Sequence, residues 1–263
     1  MIDGVRAFAP SLAASHESFE SESYARLAAL EESSFWFRSR NRLIVWALAR
    51  YFPRASRFLE IGCGSGFVIG AIASAYADMR ITATELLSEA FKHARARAPS
   101  VEFLQADATA IPFDSEFDVA CAFDVIEHID DDERVLRELF RVLRPGGGLL
   151  LTVPRHRFLW SVSDDYGHHK RRYTGEELKR KVQAAGFRIV RATSFVSLLF
   201  PLLILSRRKM RKAKPSAVWS EFTLPKAIDM FLSIVMTIER LLIRAGISFP
   251  FGGSLLVVAR RPQ

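Results

Sequence analysis

The chain has little cysteine and no long apolar run. Only two cysteines, Cys63 and Cys121, occur in its 263 residues, which argues against a disulfide framework and favours buried thiols in a reducing compartment. No run reaches the roughly 18 apolar residues that a membrane-spanning helix needs. Residues 1–6 lack the basic and apolar regions of a signal peptide, and no internal repeat is found. We therefore expect a cytoplasmic protein.

Charge and apolar content are both high. The net charge is +8, from 37 basic and 29 acidic residues, and 49% of the residues are hydrophobic. A basic balance suits nucleic acid, an anionic membrane surface or an acidic substrate. The length suits one large α/β domain with an appendage.

A glycine-rich turn organises the chain. Residues 58–66 read Phe-Leu-Glu-Ile-Gly-Cys-Gly-Ser-Gly, which predicts a buried strand, a tight turn and a helix beginning near Phe67. Such turns bind nucleotide-like ligands at the carboxyl edge of an open α/β sheet. Alone, the turn could also be a plain strand-to-helix connection, which is the weaker alternative. Phe67 stands where a dinucleotide fingerprint has its third glycine.

Strand and helix patterns alternate after this turn, which predicts a parallel sheet with covering helices. Predicted strands are 57–61, 80–84, 101–105, 117–123, 149–153, 187–192 and 254–260. We predict four segments: a helical or lid segment at 1–56, a ligand-binding Rossmann-like core at 57–193, a helical insertion at 194–253, and a final strand at 254–263. Residues 1–21 are expected to be a loosely docked tail.

Carboxylates follow the first three strands of this core. Glu60 precedes the glycine turn, Glu85 ends the second strand, and Asp107 follows the third. A carboxylate about 20 residues past the turn can accept hydrogen bonds from a ribose diol. An acidic lining suits a cationic nucleoside. It would repel a pyrophosphate, which argues against NAD or FAD as the ligand.

Four stretches, the glycine turn among them, give a family resemblance. They are Leu59 to Gly66, Gln105-Ala106-Asp107-Ala108, Phe117-Asp118-Val119 and Val142-Leu143-Arg144-Pro145-Gly146-Gly147. Together they resemble class I S-adenosylmethionine-dependent methyltransferases. The motif from Phe123 to His128 is similar to the ubiquinone-pathway O-methyltransferases, and residues 160–173 resemble a subset associated with envelope-glycan biosynthesis.

The resemblance implies a seven-stranded sheet with an antiparallel last strand, and S-adenosylmethionine as cofactor, with S-adenosylhomocysteine as product. It also implies the cofactor contacts, which by position are Glu60, Gly62, Cys63, Gly64, Gly66, Glu85, Leu86, Asp107, Ala108 and Phe123. An arginine before the first strand contacts the cofactor carboxylate in related quinone enzymes. Arg38 and Arg42 are the candidates here, in an aromatic-arginine segment that is either a lid or a helix on the sheet edge.

Histidines are the candidate proton acceptors. His128 follows the fourth strand near the expected acceptor position, and His168 and His169 lie in the loop after the fifth. Imidazole titrates near neutrality and suits general base catalysis. Alternatively, His128 caps the next helix and the other two make exposed loop contacts. We expect Glu127 to support the site through hydrogen bonds rather than to act as a base. We predict no metal site.

The insertion combines apolar residues with cations. Residues 195–205 are nearly all apolar and contain Pro201, expected to break the helix, and Arg207, Arg208, Lys209, Arg211, Lys212 and Lys214 follow. This pattern, with the apolar block 228–243, predicts association with an anionic membrane surface. The alternative is a helical hairpin that caps the site or forms a homodimer interface. Nucleic acid is disfavoured because the cations are flanked by aliphatic residues rather than stacking aromatics.

We therefore expect a methyltransferase that methylates oxygen in a hydrophobic or lipid-linked acceptor. The alternatives are a soluble small-molecule methyltransferase and a non-catalytic cofactor-binding scaffold.

Overall fold

The computed structural model describes residues 1–13, 21–211, 213–214, 218–219 and 223–263. These residues form one eight-stranded sheet with helices on both faces. The strands are β1 (Arg6–Ala7), β2 (Arg57–Ile61), β3 (Arg80–Glu85), β4 (Glu102–Gln105), β5 (Phe117–Phe123), β6 (Leu143–Pro154), β7 (Arg188–Phe195) and β8 (Ser254–Arg260). The helices are α1 (Ser21–Ser33), α2 (Phe35–Tyr51), α3 (Phe67–Ala75), α4 (Phe91–Arg97), α5 (Asp132–Val142), α6 (Val162–Tyr166), α7 (Gly175–Ala184), α8 (Phe200–Met210) and α9 (Lys226–Arg244).

The strand order is β1-β4-β3-β2-β5-β6-β8-β7. Strand β8 runs antiparallel to both of its neighbours, and the pairs from β4 to β6 are parallel. The predicted α/β methyltransferase-type sheet with an antiparallel last strand is therefore confirmed. The carboxyl ends of β2, β3, β4 and β5 meet at one edge, where ligands bind in such sheets.

Alternating side chains of the strands build two cores. In β2, Phe58 faces one core, whereas Leu59 and Ile61 face the other, as the two-residue period of a strand requires. Helices α2, α3, α4 and α9 cover the first face, and α5 and α7 cover the second. The glycine turn after β2 is thereby held between two packed layers.

The N-terminal residues are part of the sheet, so the predicted loosely docked tail is wrong for them. Strand β1 pairs in parallel with β4, and the Ala9 nitrogen donates to Oε1 of Gln105 at 3.0 Å. The signal for this strand is weak because β1 has only two residues. Residues 14–20 of that predicted tail lie outside the described part of the chain.

The insertion connects β7 to β8, which pair antiparallel. Pro201 lies in the first turn of α8, where its missing N–H costs nothing, so the predicted helix break at Pro201 is wrong. Helix α9 packs mainly on α2, and α8 mainly on the 3₁₀ turn Arg157–Leu159. The two helices share apolar contacts within the first core but do not form the simple hairpin of the alternative prediction.

A buried glutamate joins the two helices of the insertion. Glu239 of α9 is 1% exposed, and its carboxylate accepts the main-chain N–H groups of Val196, Ser197 and Leu198 at 2.6–2.7 Å. These donors precede α8 and have no helical partner of their own. The carboxylate therefore fixes the turn from β7 into α8.

Candidate active site

The glycine turn leaves open space at one position. Gly62, Gly64 and Gly66 all have positive φ angles, of 63°, 51° and 80°. An added Cβ would lie 2.6 Å from Val125 at Gly62 and 2.6 Å from Ala94 at Gly66, but would meet no atom within 4 Å at Gly64. The outer glycines thus permit close packing, and Gly64 borders a cradle that a ligand can fill.

Glu85 faces this cradle from the end of β3. Its Oε2 accepts the Gly64 N–H at 2.9 Å, and its Oε1 accepts the N–H groups of Leu86 and Leu87 at 2.8 and 3.2 Å. Burial raises the pKa of this carboxyl, and the three main-chain donors oppose that shift. A carboxylate retains further lone pairs after these bonds. Glu85 is thus fixed where it can accept from ligand hydroxyls.

Glu60 lies beneath the turn and is buried. Burial raises the pKa of Glu60 to about 8, while the nearby Arg40 lowers it and Glu85 raises it. No described residue hydrogen-bonds its Oε2 atom. Cys63, beside it, is a buried thiol whose pKa is raised by burial.

The remaining predicted cofactor residues lie along the same edge. Asp107 follows β4 and accepts both the N–H and the hydroxyl of Thr109 at 2.8 Å, so part of its hydrogen-bonding capacity holds a turn. Ala108 packs on the second core, and Phe123 ends β5 with 5% exposure. Leu86 follows Glu85 directly, and its carbonyl accepts from Nε2 of Gln105 at 3.0 Å.

Among the arginines of α2, Arg40 rather than Arg38 or Arg42 points to the site. Arg38 pairs with Asp229 of α9 at 2.5 Å, and Arg42 borders a groove between α2, α3 and α9. Arg40 is 7% exposed and pairs with Asp124, which follows β5 with a φ of 56°. We therefore assign Arg40, instead of the predicted Arg38 and Arg42, as the arginine nearest the ligand edge.

Helices α1 and α4 pack against the outer side of the glycine turn. The Ser65 hydroxyl donates to Glu31 of α1 at 2.6 Å, and Arg97 of α4 pairs with the same carboxylate at 2.5 Å. Tyr24 of α1 is buried near Glu85 and Cys63, and burial raises its phenol pKa. Helix α1 thus packs against the outer side of the glycine turn.

Two of the three candidate histidines come together. The ring centroids of His128 and His169 are 4.6 Å apart, whereas His168 is exposed. His169 Nδ1 lies 2.9 Å from Oδ1 of the fully buried Asp164. Burial and the neighbouring His169 lower the pKa of His128 to about 3, so its imidazole is neutral at physiological pH. Asp131, not His128, caps α5, by accepting the Arg134 N–H at 2.9 Å.

Glu127 completes this cluster. It is fully buried, and neither carboxylate oxygen has a hydrogen-bond partner among the described residues. Burial and the nearby Asp124 raise its pKa well above the usual range. Single ligand atoms of Glu127, His128 and His169 all lie within 4.8 Å of one another, a grouping that could hold a metal ion.

Three of these residues were not predicted from the sequence, which carried a signal for only one of them. Arg40 shares the buried face of α2 with Phe37, Ile44 and Leu48, which the helical spacing of three and four residues indicates. Asp164 and Arg172 bond each other at 2.6 Å inside the protein. Nothing in the local sequence around these two charged residues indicated that they are buried.

Comparisons with known proteins identify the domain. Residues 59–151 match the family described as "Methyltransferase domain". A protein of Mycobacterium tuberculosis named "Probable S-adenosylmethionine-dependent methyltransferase" is 37% identical over 164 residues, which cover 60% of this chain and 57% of that protein. A malonyl-[acyl-carrier protein] O-methyltransferase of Methylococcus capsulatus is 25% identical over 201 residues, covering 68% and 72%. The chain thus spans just over half the length of the first of these relatives.

Solved structures share the fold at lower identity. Phosphoethanolamine N-methyltransferase 2 of Haemonchus contortus, in complex with S-adenosylhomocysteine, has a TM-score of 0.61 at 17% identity, covering 94% of this chain and 59% of that one. The [4+2]-cyclase SpnF has a TM-score of 0.56 at 21% identity, covering 86% and 83%. The fold alone therefore does not determine the reaction.

The cradle fits the cofactor of this family. Gly64 leaves room for a ligand against the main chain, and the buried Glu85 offers acceptors for ribose hydroxyls. Glu60 adds a buried carboxyl group with no hydrogen-bond partner on one oxygen among the described residues. The glycine turn, the carboxylates and the family match agree, and residues 59–151 belong to a methyltransferase domain similar to those of S-adenosylmethionine-dependent methyltransferases.

Proposed function

We propose that the protein transfers a methyl group from S-adenosylmethionine to an oxygen of a hydrophobic or lipid-linked acceptor, such as a polyprenyl-linked glycan or a quinone precursor. The observation that carries methyl transfer is the open cradle at Gly64 with Glu85 beside it. The cofactor, when bound, supplies an already activated methyl group. The chain must hold the acceptor in line with it.

Oxygen is favoured because the expected acceptor side holds groups that can handle a proton. A hydroxyl loses its proton as its oxygen is methylated, so a hydrogen-bond acceptor must stand beside it. Glu127, His128 and His169 supply such atoms at the end of β5, close to one another. The malonyl-[acyl-carrier protein] methyltransferases among the relatives are O-methyltransferases by name, which agrees with this choice.

The apolar acceptor class rests on the exposed face of α9. Ile234, Ile238 and Leu241 recur at helical spacing on one face, each about half exposed, and Met230 and Phe231 extend this apolar stripe with 64% and 62% exposure. A contiguous exposed apolar face marks an interaction surface. No helix of the described chain is long and apolar enough to span a bilayer.

Arginines flank the stripe. Arg42, Arg240 and Arg244 line a groove of about 610 Å³ between α2, α3 and α9, and the described residues give them no carboxylate within ion-pair distance. An apolar stripe beside unpaired cations suits the interface of an anionic membrane. We propose that the protein binds there peripherally.

The predicted basic run contributes less than its composition suggests. Arg207 donates to the Ser161 hydroxyl at 2.7 Å, and Arg211 donates to the Trp160 carbonyl at 3.2 Å. Arg208 and Lys209 are exposed, and Lys212 lies outside the described residues. The proposed contacts to lipid headgroups are therefore Arg42, Arg240 and Arg244, together with the exposed cations of the basic run.

Two other functions are the alternatives. In the first, the protein methylates a soluble small molecule, and the apolar stripe of α9 is a lid or a homodimer surface. In the second, the domain binds the cofactor and scaffolds a complex without catalysis.

Transfer of a labelled methyl group from S-adenosylmethionine into a cell extract separates these functions. We expect label in the organic phase, in a product whose ether or ester oxygen carries the methyl group. Label only in aqueous products would support the soluble enzyme. Cofactor binding, measured by calorimetry, without label in either phase would support the scaffold.

A further inference from the structure

Three arginines meet in the groove between α2, α3 and α9. Arg42 comes from α2, and Arg240 and Arg244 come from α9. None of the three guanidinium groups forms a hydrogen bond or an ion pair with a described residue. The groove thus collects positive charge that the described part of the chain does not neutralise.

The carboxylates of α9 are engaged elsewhere. Asp229 pairs with Arg38 at 2.5 Å and accepts the main-chain N–H of Phe35 at 2.6 Å. Glu239, which precedes Arg240 in sequence, is buried and accepts the three main-chain N–H groups before α8. Neither carboxylate is therefore available to the arginines of the groove.

Arg240 experiences the charges of the other two arginines. Burial lowers the pKa of Arg240, and so do the charges of Arg42 and Arg244. A guanidinium nevertheless stays protonated in a protein. Like charges held at close range repel one another, and an anion placed between them removes that repulsion. The groove is therefore suited to an anionic ligand.

A phosphate group matches this groove better than a carboxylate does. The planar guanidinium fork donates two parallel hydrogen bonds to phosphate oxygens. A phosphate ester carries about 1.5–2 negative charges at neutral pH, so it can offset more than one of the three cations. The groove volume of about 610 Å³ is in the range of small-molecule sites, about 300–1,000 Å³. It can therefore hold a phosphate together with part of the group that carries it.

The position of the arginines on α9 indicates what carries the phosphate. Arg240 and Arg244 are four residues apart and share one flank of the helix. This flank lies between the buried face of α9 and its exposed apolar stripe, which includes Ile234, Ile238 and Leu241. A headgroup in the groove would thus lie beside side chains that can enter the acyl region of a membrane. A lipid supplies both parts.

The aromatic rings of the groove disfavour nucleic acid as the source of phosphate. Single-stranded nucleic acids bind where bases stack on aromatic side chains. The two aromatic residues that line the groove each carry a guanidinium already. Arg191 lies 5.8 Å from the ring centroid of Trp46, and Arg97 lies 5.2 Å from that of Phe67.

We propose that this groove binds the phosphate or diphosphate headgroup of an anionic lipid, with Arg42, Arg240 and Arg244 as its direct contacts. The inference rests on the proposed function for the membrane as the source of the ligand, and it deepens that function. General attraction to an anionic surface becomes recognition of phosphate oxygens at one site per chain.

The first test is calorimetric titration of the full-length protein with inorganic diphosphate, without vesicles. We expect one diphosphate per chain, and binding weaker by about tenfold or more in the groove variant, Arg240→Gln with Arg244→Gln, because charge-assisted hydrogen bonds are lost. Arg54→Gln with Arg80→Gln is the matched control. It removes the same charge at two exposed positions outside the groove and should bind like the wild type.

The second test identifies the carrier of the phosphate. Vesicles of phosphatidylcholine with phosphatidic acid are compared with vesicles brought to the same surface potential by oleate, whose charge is a carboxylate. We expect the wild type to prefer phosphatidic acid several-fold, and the groove variant to lose this preference. Ile234→Ser with Ile238→Ser should bind diphosphate normally but both kinds of vesicle weakly, because the stripe and not the groove is changed.

Circular dichroism and calorimetry with S-adenosylhomocysteine show that each variant is folded. A wild type that does not bind diphosphate, or a folded groove variant that binds it like the control, would overturn the site. Diphosphate binding without competition from phosphatidic acid vesicles would contradict the lipid source, and so would tighter binding of a single-stranded oligonucleotide.

The proposed function can fail separately. If the wild type binds both kinds of vesicle equally, peripheral membrane binding stands and phosphate recognition is wrong. If the protein binds diphosphate and prefers phosphatidic acid but transfers no methyl group into any extract, the groove stands and the proposed methyl transfer is contradicted.

Discussion

The carboxylate of Glu85 accepts the main-chain N–H of Gly64 at 2.9 Å. This contact joins the end of β3 to the glycine turn that follows β2. The turn and the proposed ribose acceptor are therefore one unit, and the position of each depends on the other.

Replacing Glu85 with Ala tests this unit. We expect affinity for S-adenosylhomocysteine to fall at least tenfold, because two proposed ribose hydrogen bonds are lost, each worth about 1 kcal/mol or more. Isothermal titration calorimetry measures the loss. Glu89→Ala, a change of the same type at an exposed position of the next turn, should leave the affinity unchanged. Equal affinities for the two variants would contradict the assignment of Glu85.

Substitutions of the turn glycines should separate effects on folding from effects on cofactor binding. In Gly66→Ala the new Cβ would lie 2.6 Å from the Ala94 Cα, so we expect a clear drop in melting temperature. In Gly64→Ala it meets no protein atom within 4 Å. The positive φ then costs about 1 kcal/mol, while the methyl group enters the cradle. Gly64→Ala should thus stay folded and bind S-adenosylhomocysteine poorly. Retained affinity in folded Gly64→Ala would place the cofactor elsewhere.

Glu60 should make stability fall as the pH rises. Its pKa is about 8 in the folded protein against an ordinary value of 4.5, so between these values only the unfolded chain has lost the proton. Each pH unit in this window then costs about 1.4 kcal/mol of stability from this group, an upper estimate. Below about pH 4.5 the Glu60 side chain is neutral in both the folded and the unfolded state, and this cost vanishes.

Glu60→Gln cannot ionise, so its melting temperature should vary less than that of the wild type from pH 5 to pH 8, the window set by these pKa values. Differential scanning calorimetry across this range gives the two slopes. Parallel curves would show that Glu60 is not the titrating group.

The apolar stripe of α9 should determine membrane binding. We expect the wild type to sediment with anionic liposomes, less so in high salt. Ile234→Ser with Ile238→Ser should bind several-fold more weakly, because two half-exposed apolar side chains no longer enter the interface. Val190→Ser, which replaces an apolar residue of 44% exposure on β7, is the control. A wild type that stays in solution at low salt would contradict the membrane proposal.

Local patterns were enough to predict seven of the eight strands of the sheet. The strands near Phe58 and Phe117 and the capping box at Thr174, where Oγ1 accepts the Glu177 N–H at 3.1 Å, follow from apolar runs and short-range hydrogen bonds. Sites formed by residues distant in sequence could not be predicted from such local patterns. The pair of Arg40 and Asp124 joins residues 84 apart, and only the packing of α2 on the sheet brings them together.

The two-residue strand β1 has a practical consequence for anyone who purifies the protein. The Gln105 amide donates both to the Ala9 carbonyl at 2.8 Å and to the Leu86 carbonyl at 3.0 Å. One side chain thus joins the N-terminal segment to the residue after Glu85. An affinity tag or a deletion that pulls residues 6–9 from the sheet edge would loosen that support, so cofactor affinities are best measured with a C-terminal tag or with the N-terminal tag removed.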